Sequence, residues 1–406
     1  MLEYIAAPLR KDKDFLKYHV NDISQDDHLD PTKESPFVRL NFDMVTGFVI
    51  EPMHTFEEGA FGRRLEGFAS VPNEGKISKE ALTEVNQRIA AFKFWKVNDF
   101  DRSVEDFSKC GSYKMHVKRQ FLYYHLFPVF EGILSDSELE HIMMLQYAML
   151  LLGTFDPQPV SDSNIKLARK VLNFYCVELT ERDIPCRFVS HQTIHIPDDV
   201  AKYQCGVETL SAYQYESFLS FFRRCLRSGN LPVEQIRNRL VEKKKYQFAT
   251  TSSGTIIANK VQLLLEAKRK FSKSRPILFH HKGEKLPKKL IFFNFELINR
   301  PPNNFCAMAD GSIVICKDFF VDGEGSPQLT GKKFLNLSDA FLKPFSSSKF
   351  GIYLGTNLSG LMEIWPASQV KAKIYAFPRR ANGRINIDES TQQWFLIPLR
   401  HTIMQM

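Results

Sequence analysis

Apolar residues recur at three- to four-residue steps through much of the first half of the chain. From Ser78 to Phe94, a Ser-Lys-Glu-Ala opening leads into Leu82, Val85, Ile89 and Phe92, which together describe one face of a helix. The same spacing predicts helices over Val117 to Gly132, Ser137 to Leu152 and Asp162 to Glu181, so residues 78–181 read as a mainly helical block. Ahead of that block, Val38, Leu40, Phe42 and Met44 alternate with polar groups, and the stretch ends in Phe48-Val49-Ile50 before Glu51-Pro52. That pattern predicts a strand over Phe37 to Ile50. Residues 1–36, rich in turn formers, read as an irregular lead-in. After the block, Phe188 to Ile196 and Tyr213-Gln214-Tyr215 predict strand, loop and strand, feeding a helix from about Glu216 to Arg227.

Past residue 289 the period changes. Short β-rich runs occupy Leu290 to Leu297, Ser312 to Phe320, Phe350 to Leu354, Leu361 to Trp365, Val370 to Phe377 and Trp394 to Leu399. Asp310-Gly311, Asp322-Gly323 and Asn382-Gly383 punctuate them, as hairpins of a small barrel or sandwich require. The expected class is therefore α+β. Its parts are a lead-in over 1–36, a core over 37–236 with the helical insertion inside it, a linker over 237–289 and a β domain over 290–406.

Composition agrees with a folded chain of more than one domain. The chain has 406 residues, and a single core rarely grows past roughly 250 to 300. Hydrophobic residues make up 44% and charged residues 25%, which excludes a disordered chain. The longest apolar stretch, Ile142 to Phe155, is interrupted by Gln146 and falls short of the roughly 20 residues that span a bilayer. The first 30 residues hold no apolar run of leader length, so an intracellular protein, nuclear or cytoplasmic and without a membrane partner, is expected. Seven cysteines without a CxxC pair argue for free thiols rather than a disulfide framework or a zinc ribbon.

Charge changes the picture in one place. Residues 237–289 contain 15 Lys or Arg against three acids, a net of +12, whereas the whole chain carries only +8. The excess is thus confined to a linker that includes Lys243, Lys244, Lys245, Lys268, Arg269 and Lys270. Such a run neutralises phosphates and releases their counterions, the basis of sequence-indifferent nucleic-acid binding. A solvated hinge carrying a nuclear-import signal has the same composition.

Common catalytic signatures are missing. Gly323, Gly325 and Gly331 do not form GxGxxG or a phosphate loop and read as hairpin turns. No GxSxG occurs. His191 and His195 have helical metal spacing, but His-Gln-Thr-Ile-His lacks the glutamate of a zinc protease, and a structural role is expected for both.

Two blocks remain. One runs Ser35-Pro36-Phe37, Asn41-Phe42-Asp43-Met44-Val45 and Glu51-Pro52-Met53-His54, followed by Glu58-Gly59-Ala60-Phe61-Gly62-Arg63-Arg64-Leu65. The other is His195-Ile196-Pro197-Asp198-Asp199-Val200 with Leu210-Ser211-Ala212-Tyr213-Gln214-Tyr215-Glu216-Ser217-Phe218-Leu219. In that order they resemble CACTA-like (En/Spm-type) transposase-related proteins, from about Ser35 to the C-terminus. The resemblance implies a ribonuclease H-like core in which three acids hold two divalent metals for in-line phosphoryl transfer. It places Glu51 and His54 on a D-x-x-H element and Glu216 on the third acid.

Glu51 departs from the usual aspartate, and the resemblance leads to the expectation that the first two acids belong upstream of Met1. Asp43, Asp198 and Asp199 have no motif behind them. The expectation is a transposon-derived, catalytically incomplete protein that binds DNA non-specifically. No cofactor is expected for this chain alone, with Mg²⁺ entering if an active assembly exists. Two alternatives stand beside it: a nuclear protein-interaction module whose β domain reads a peptide or a second copy, and one part of a multi-chain transposase.

Overall fold

The computed structural model describes residues 11–12, 36–153, 159–252, 276–279, 288–379 and 392–402. It is an α+β protein, helical in its N-terminal half, with antiparallel β-structure after residue 276. Chain contacts divide it into two compact units. The first gathers Met1–Ile77, Cys110–Lys118 and Ser137–Ser211, and the second gathers Ser78–Lys109, Arg119–Asp136 and Ala212–Met406.

In the first unit, a run of wide helical turns over Met53–Gly62 continues into the helix Arg63–Ser70. The helix Asp136–Leu152 is buried along most of its length, as its nearly all-round apolar sequence requires. The helix Asp162–Glu181 begins where periodicity places it, because the Ser161 side chain accepts a hydrogen bond from the Asn164 amide. Glu138 clamps two helices together. It pairs with the buried Arg64 and, at 2.7 Å, with Arg182 Nη1, while the Arg64 guanidinium lies over the Phe68 ring.

Two strand expectations fail in this unit. Phe37 to Ile50 is a chain of turns around a single 3-10 turn, Val38–Leu40. Asp43 is the reason: its carboxylate accepts from the Val45 and Thr46 amides and from the Thr46 hydroxyl, which folds the chain back where a strand would extend. Phe37, Phe42 and Phe48 then collect into one ring cluster, with centroids 4.9 to 5.5 Å apart, and do not alternate across a sheet. Phe188 to Ile196 is likewise helical. Phe188–Gln192 is a helix, Thr193–His195 a tight turn, and Ile196–Tyr203 a second helix that opens on Pro197, whose fixed φ suits a first turn. Among the described residues before Ile277, none lies in a strand.

The second unit opens with the helix Lys79–Phe92, capped by Ser78, which accepts from the Ala81 amide at 3.1 Å. Among the described residues its C-terminal half holds ten strands: β1 Ile277–Phe279, β2 Lys289–Ile291, β3 Glu296–Ile298, β4 Phe305–Met308, β5 Ile313–Val321, β6 Pro327–Asp339, β7 Tyr353–Leu358, β8 Glu363–Pro366, β9 Val370–Pro378 and β10 Trp394–Pro398. Strands β1, β2 and β3 form a small antiparallel sheet. The larger sheet runs β5-β4-β9-β10-β7-β6-β8, and a further β5–β6 pairing closes six of these strands into a cycle. Of the predicted turn signals, Asp310-Gly311 joins β4 to β5 and Asp322-Gly323 joins β5 to β6; Asn382-Gly383 lies outside the described residues.

β4 and β6 were not foreseen. Phe305–Met308 is too short to display a period, and β6, at 13 residues the longest strand, holds Gly331, Lys332 and Lys333 in its middle. Gly331 is consequently not a turn residue. It pairs with Cys316, and a Cβ there would lie 2.3 Å from the Ile315 carbonyl oxygen, so only glycine lets β5 and β6 approach at this irregular register. Gly325, by contrast, has φ +81° in the β5–β6 turn.

Phe305, Ile313, Ile315, Phe334, Ile374, Ala376, Trp394 and Leu396 fill one core. Leu290, Phe292, Phe295 and Leu297 pack on the opposite faces of β4 and β5 through Cys306, Met308, Val314 and Cys316. The outward residues of β9 are covered as well. Phe377 meets Phe92 at 4.5 Å, and Tyr375 meets Phe100 at 5.2 Å and donates to or accepts from His125 Nε2 at 3.1 Å. Part of the segment 78–136 therefore seals the back of the β-sheet, and β9 is buried along nearly its whole length on both faces.

Candidate nucleic-acid interface

The residues singled out from sequence fall into three structural settings. Glu51 and His54 stand at the head of the Met53–Gly62 turns. Glu51 Oε1 accepts from the Met53 amide and Oε2 from the His54 amide, each at 2.8 Å, and His54 Nδ1 lies 2.7 Å from Oε2. Ser211 Oγ donates to Oε1 at 3.3 Å. This is helix capping, in which a carboxylate satisfies otherwise orphaned amides at the positive end of a helical run.

The rest of that block has packing duties. A Cβ on Gly62 would lie 3.0 Å from Nζ of Lys118, a fully buried lysine paired with Glu58 at 2.5 Å. Arg64 is the buried partner of Glu138. Among the described residues no group of three His, Cys, Asp or Glu gathers to hold a metal ion.

The other acids noted from sequence also have structural partners. Asp43 organises its turn, and the Thr46 hydroxyl holds its carboxyl below the usual range. Asp198 pairs with Arg169 and lies 3.6 Å from His195 Nδ1; the neighbouring His195 is the main cause of its lowered pKa, with Arg169 adding to it. Asp199 accepts from the Ile50 amide at 2.7 Å, and burial raises its pKa. His191 and His195 face each other at 5.4 Å between ring centroids, and burial pulls His191 down.

The third setting is a helical hairpin in the second unit. Its first arm is Tyr213–Cys225 and its second is Pro232–Ser252. The first arm begins three residues earlier than sequence suggested, so Tyr213-Gln214-Tyr215 is its first turn and not a strand. Gln235 fixes the connection: its Oε1 accepts from the Arg227 amide at 2.8 Å, and its Nε2 donates to the Ser228 carbonyl at 3.1 Å and to the Asn230 carbonyl. Glu216 lies exposed in the first turn of the first arm.

Arg223 and Arg224 occupy the last turn of that arm, where cations favour the negative helix end, and Arg227 follows; all three are exposed. On the second arm Arg237 and Lys244 are exposed, and Arg239 Nη1 pairs with Glu242 at 2.5 Å. Lys243 and Lys245 flank Lys244 on the same helix. Over both arms, residues 213–252 carry eight Lys or Arg against three acids. Lys268, Arg269 and Lys270 lie outside the described residues.

Sequence reading placed the charge but missed the apolar face beside it. Tyr215, Phe218 and Leu219 are 67%, 52% and 61% exposed. Their i, i+3, i+4 spacing was legible as an amphipathic stripe, which ordinarily faces a core.

A family model described as a domain of unknown function (DUF8592) matches residues 272–399, the part of the chain that holds all ten strands. Neither a curated protein nor a solved structure matches the chain. Among the described residues no helix is long and apolar enough to cross a membrane.

Proposed function

We propose that this chain is a transposon-derived nucleic-acid-binding protein that does not cut DNA by itself. The carrying observation is the helix Pro232–Ser252, which projects Arg237 and Lys244 from an exposed hairpin and opens the basic stretch of net +12. Cations presented along a helix with few competing acids exchange counterions for phosphates, whatever the base sequence. The transposase ancestry rests on the resemblance of the two sequence blocks alone, since the described residues before Ile277 hold no strand from which a ribonuclease H-like sheet could be built. Capping by Glu51 gives its D-x-x-H-like element a local structural use that needs no metal. A nuclear location accords with this reading, and Mg²⁺ would enter only through an assembly that supplies further acids.

The test is duplex binding by the whole chain across a salt series, with Mg²⁺ present and cleavage products followed in the same samples. Binding that weakens steeply with salt, without cleavage, is expected. Replacing Lys243, Lys244 and Lys245 together by alanine should flatten the log–log slope by up to about 3, near one for each lost phosphate contact. Cleavage, or an unchanged slope, counts against the reading.

One observation favours a second reading. Among the described residues strand β8 is hydrogen-bonded to β6 alone, and Leu361 and Ile364 beside it and on it are 80% and 63% exposed. Such an edge suits strand addition by a peptide or by a second copy. Absence of nucleic-acid binding at low salt, together with concentration-dependent self-association, would favour it.

A further inference from the structure

The helical hairpin carries an uncovered aromatic face as well as charge. Tyr215, Phe218, Leu219 and Phe222 follow i, i+3, i+4, i+7 spacing and share one side of the first arm. In a soluble helix such a stripe is normally buried, yet Tyr215 and Phe218 are more than half exposed. Phe218 is also braced. Its ring stacks on Phe221 at 5.7 Å and 17° and meets the edge of Phe222 at 4.9 Å and 79°, so its outer face is held in place. One turn beyond Leu219 comes Arg223, and Arg227 follows the end of the arm; neither makes an ion pair among the described residues.

The occupant must suit both features. A neutral apolar partner would leave the cations facing it, and the excess of eight Lys or Arg over three acids calls for a polyanion. Duplex DNA meets that demand with phosphates but keeps the faces of its bases stacked inside. Single-stranded DNA offers both, with free base faces for Tyr215 and Phe218 and phosphates for Arg223 and Arg227. Three residues of helix advance about 4.5 Å, a separation that one unstacked nucleotide step spans readily.

We infer that the hairpin of Tyr213–Cys225 and Pro232–Ser252 is a binding platform for single-stranded DNA, with bases stacked on Tyr215 and Phe218 and the backbone led along Arg223 and Arg227. This deepens the nucleic-acid-binding reading and rests on it. It turns a charge-only contact into one that discriminates strandedness.

The experiment uses the full chain and two fluorescent probes, an oligothymidylate and a duplex of equal length, at one low salt concentration. Oligothymidylate should bind more tightly. Tyr215→Ala and Phe218→Ala should each weaken its binding by roughly tenfold, the effect of losing one stacked base, and change duplex binding little. Tyr215→Phe and Phe218→Tyr keep the ring and should retain the preference, while circular dichroism and thermal melting confirm that each variant is folded. Equal binding of the two probes, or single-strand affinity unchanged in both alanine variants, overturns this inference and leaves the charge-based reading standing. Failure to bind either probe removes both. A dimer in light scattering that Phe218→Ala dissociates, or uptake by anionic vesicles that Tyr215→Ala abolishes, each without single-strand preference, overturns the inference by assigning the face to a second copy or to a lipid surface.

Discussion

Lys373 on β9 and Asp99 in the loop after the helix Lys79–Phe92 form an ion pair with Nζ 2.5 Å from Oδ2. The lysine side chain is fully buried. Asn303 Oδ1 accepts from the same ammonium at 2.8 Å and from the Asn98 amide at 2.9 Å, and His401 Nε2 lies 3.1 Å from the second oxygen of Asp99. Burial alone would raise the Asp99 pKa, but hydrogen bonds from His401 and Lys373 outweigh it and hold the carboxylate below its usual range. A helical loop, a β-strand, a turn and the C-terminal segment thus meet at one buried charge.

Removing one partner should be costly. Asp99→Asn leaves the Lys373 ammonium buried without its counter-charge, and the expected loss is about 3 to 5 kcal/mol in urea denaturation. The pair Asp99→Leu and Lys373→Met should recover much of that loss, because no buried charge remains. A double variant no better than Asp99→Asn would mean that the site is held by packing of another kind.

The segment matched by the family model should not fold well alone. Without residues 78–136, Tyr375 and Phe377 lose their cover from Phe100, His125 and Phe92, and Lys373 loses Asp99. Expressed from residue 272 onward, the chain is expected to aggregate or to bind a hydrophobic dye strongly, whereas a chain starting at residue 78 should fold better. A soluble, cooperatively melting fragment from residue 272 would refute this.

Two buried histidines set an acid limit. Burial lowers His125 from 6.5 to about 4 and His141 from 6.5 to about 3. Between those values and 6.5 the unfolded chain binds a proton at each site and the folded chain does not. Their neutral burial therefore favours folding fully above pH 6.5, and that contribution is lost progressively as pH falls, toward about 4 for His125 and about 3 for His141. In His125→Gln, stability measured by denaturant midpoint should fall less steeply over that window, by up to one proton in the slope.

The cap at Glu51 can be separated from chemistry. Glu51→Ala should cost about 1 kcal/mol, the usual loss of an N-terminal cap, with DNA affinity unaltered. Glu216→Gln, at an exposed position in the first turn of the hairpin, should likewise leave affinity and stability almost unchanged. A large loss of binding in either variant would show that these acids touch the ligand or a metal.

The sequence by itself determined what depends on near neighbours. Helices such as Lys79–Phe92 and Asp162–Glu181 were legible because period and capping serines are local signals. The α+β class, most strands after residue 289 and the concentration of charge in residues 237–289 were legible for the same reason.

Tertiary structure decided the rest. Whether Phe37 to Ile50 extends or folds back depends on which amides reach Asp43, and Gly331 became a strand residue because Ile315 lies against it. The contiguous helical block over 78–181 is shared between two units, since which apolar face covers which depends on partners far along the chain. Exposure of Tyr215 and Phe218 belongs here too: a helical stripe in sequence is the same whether a core covers it or leaves it open, and only the assembled fold shows that this one is open.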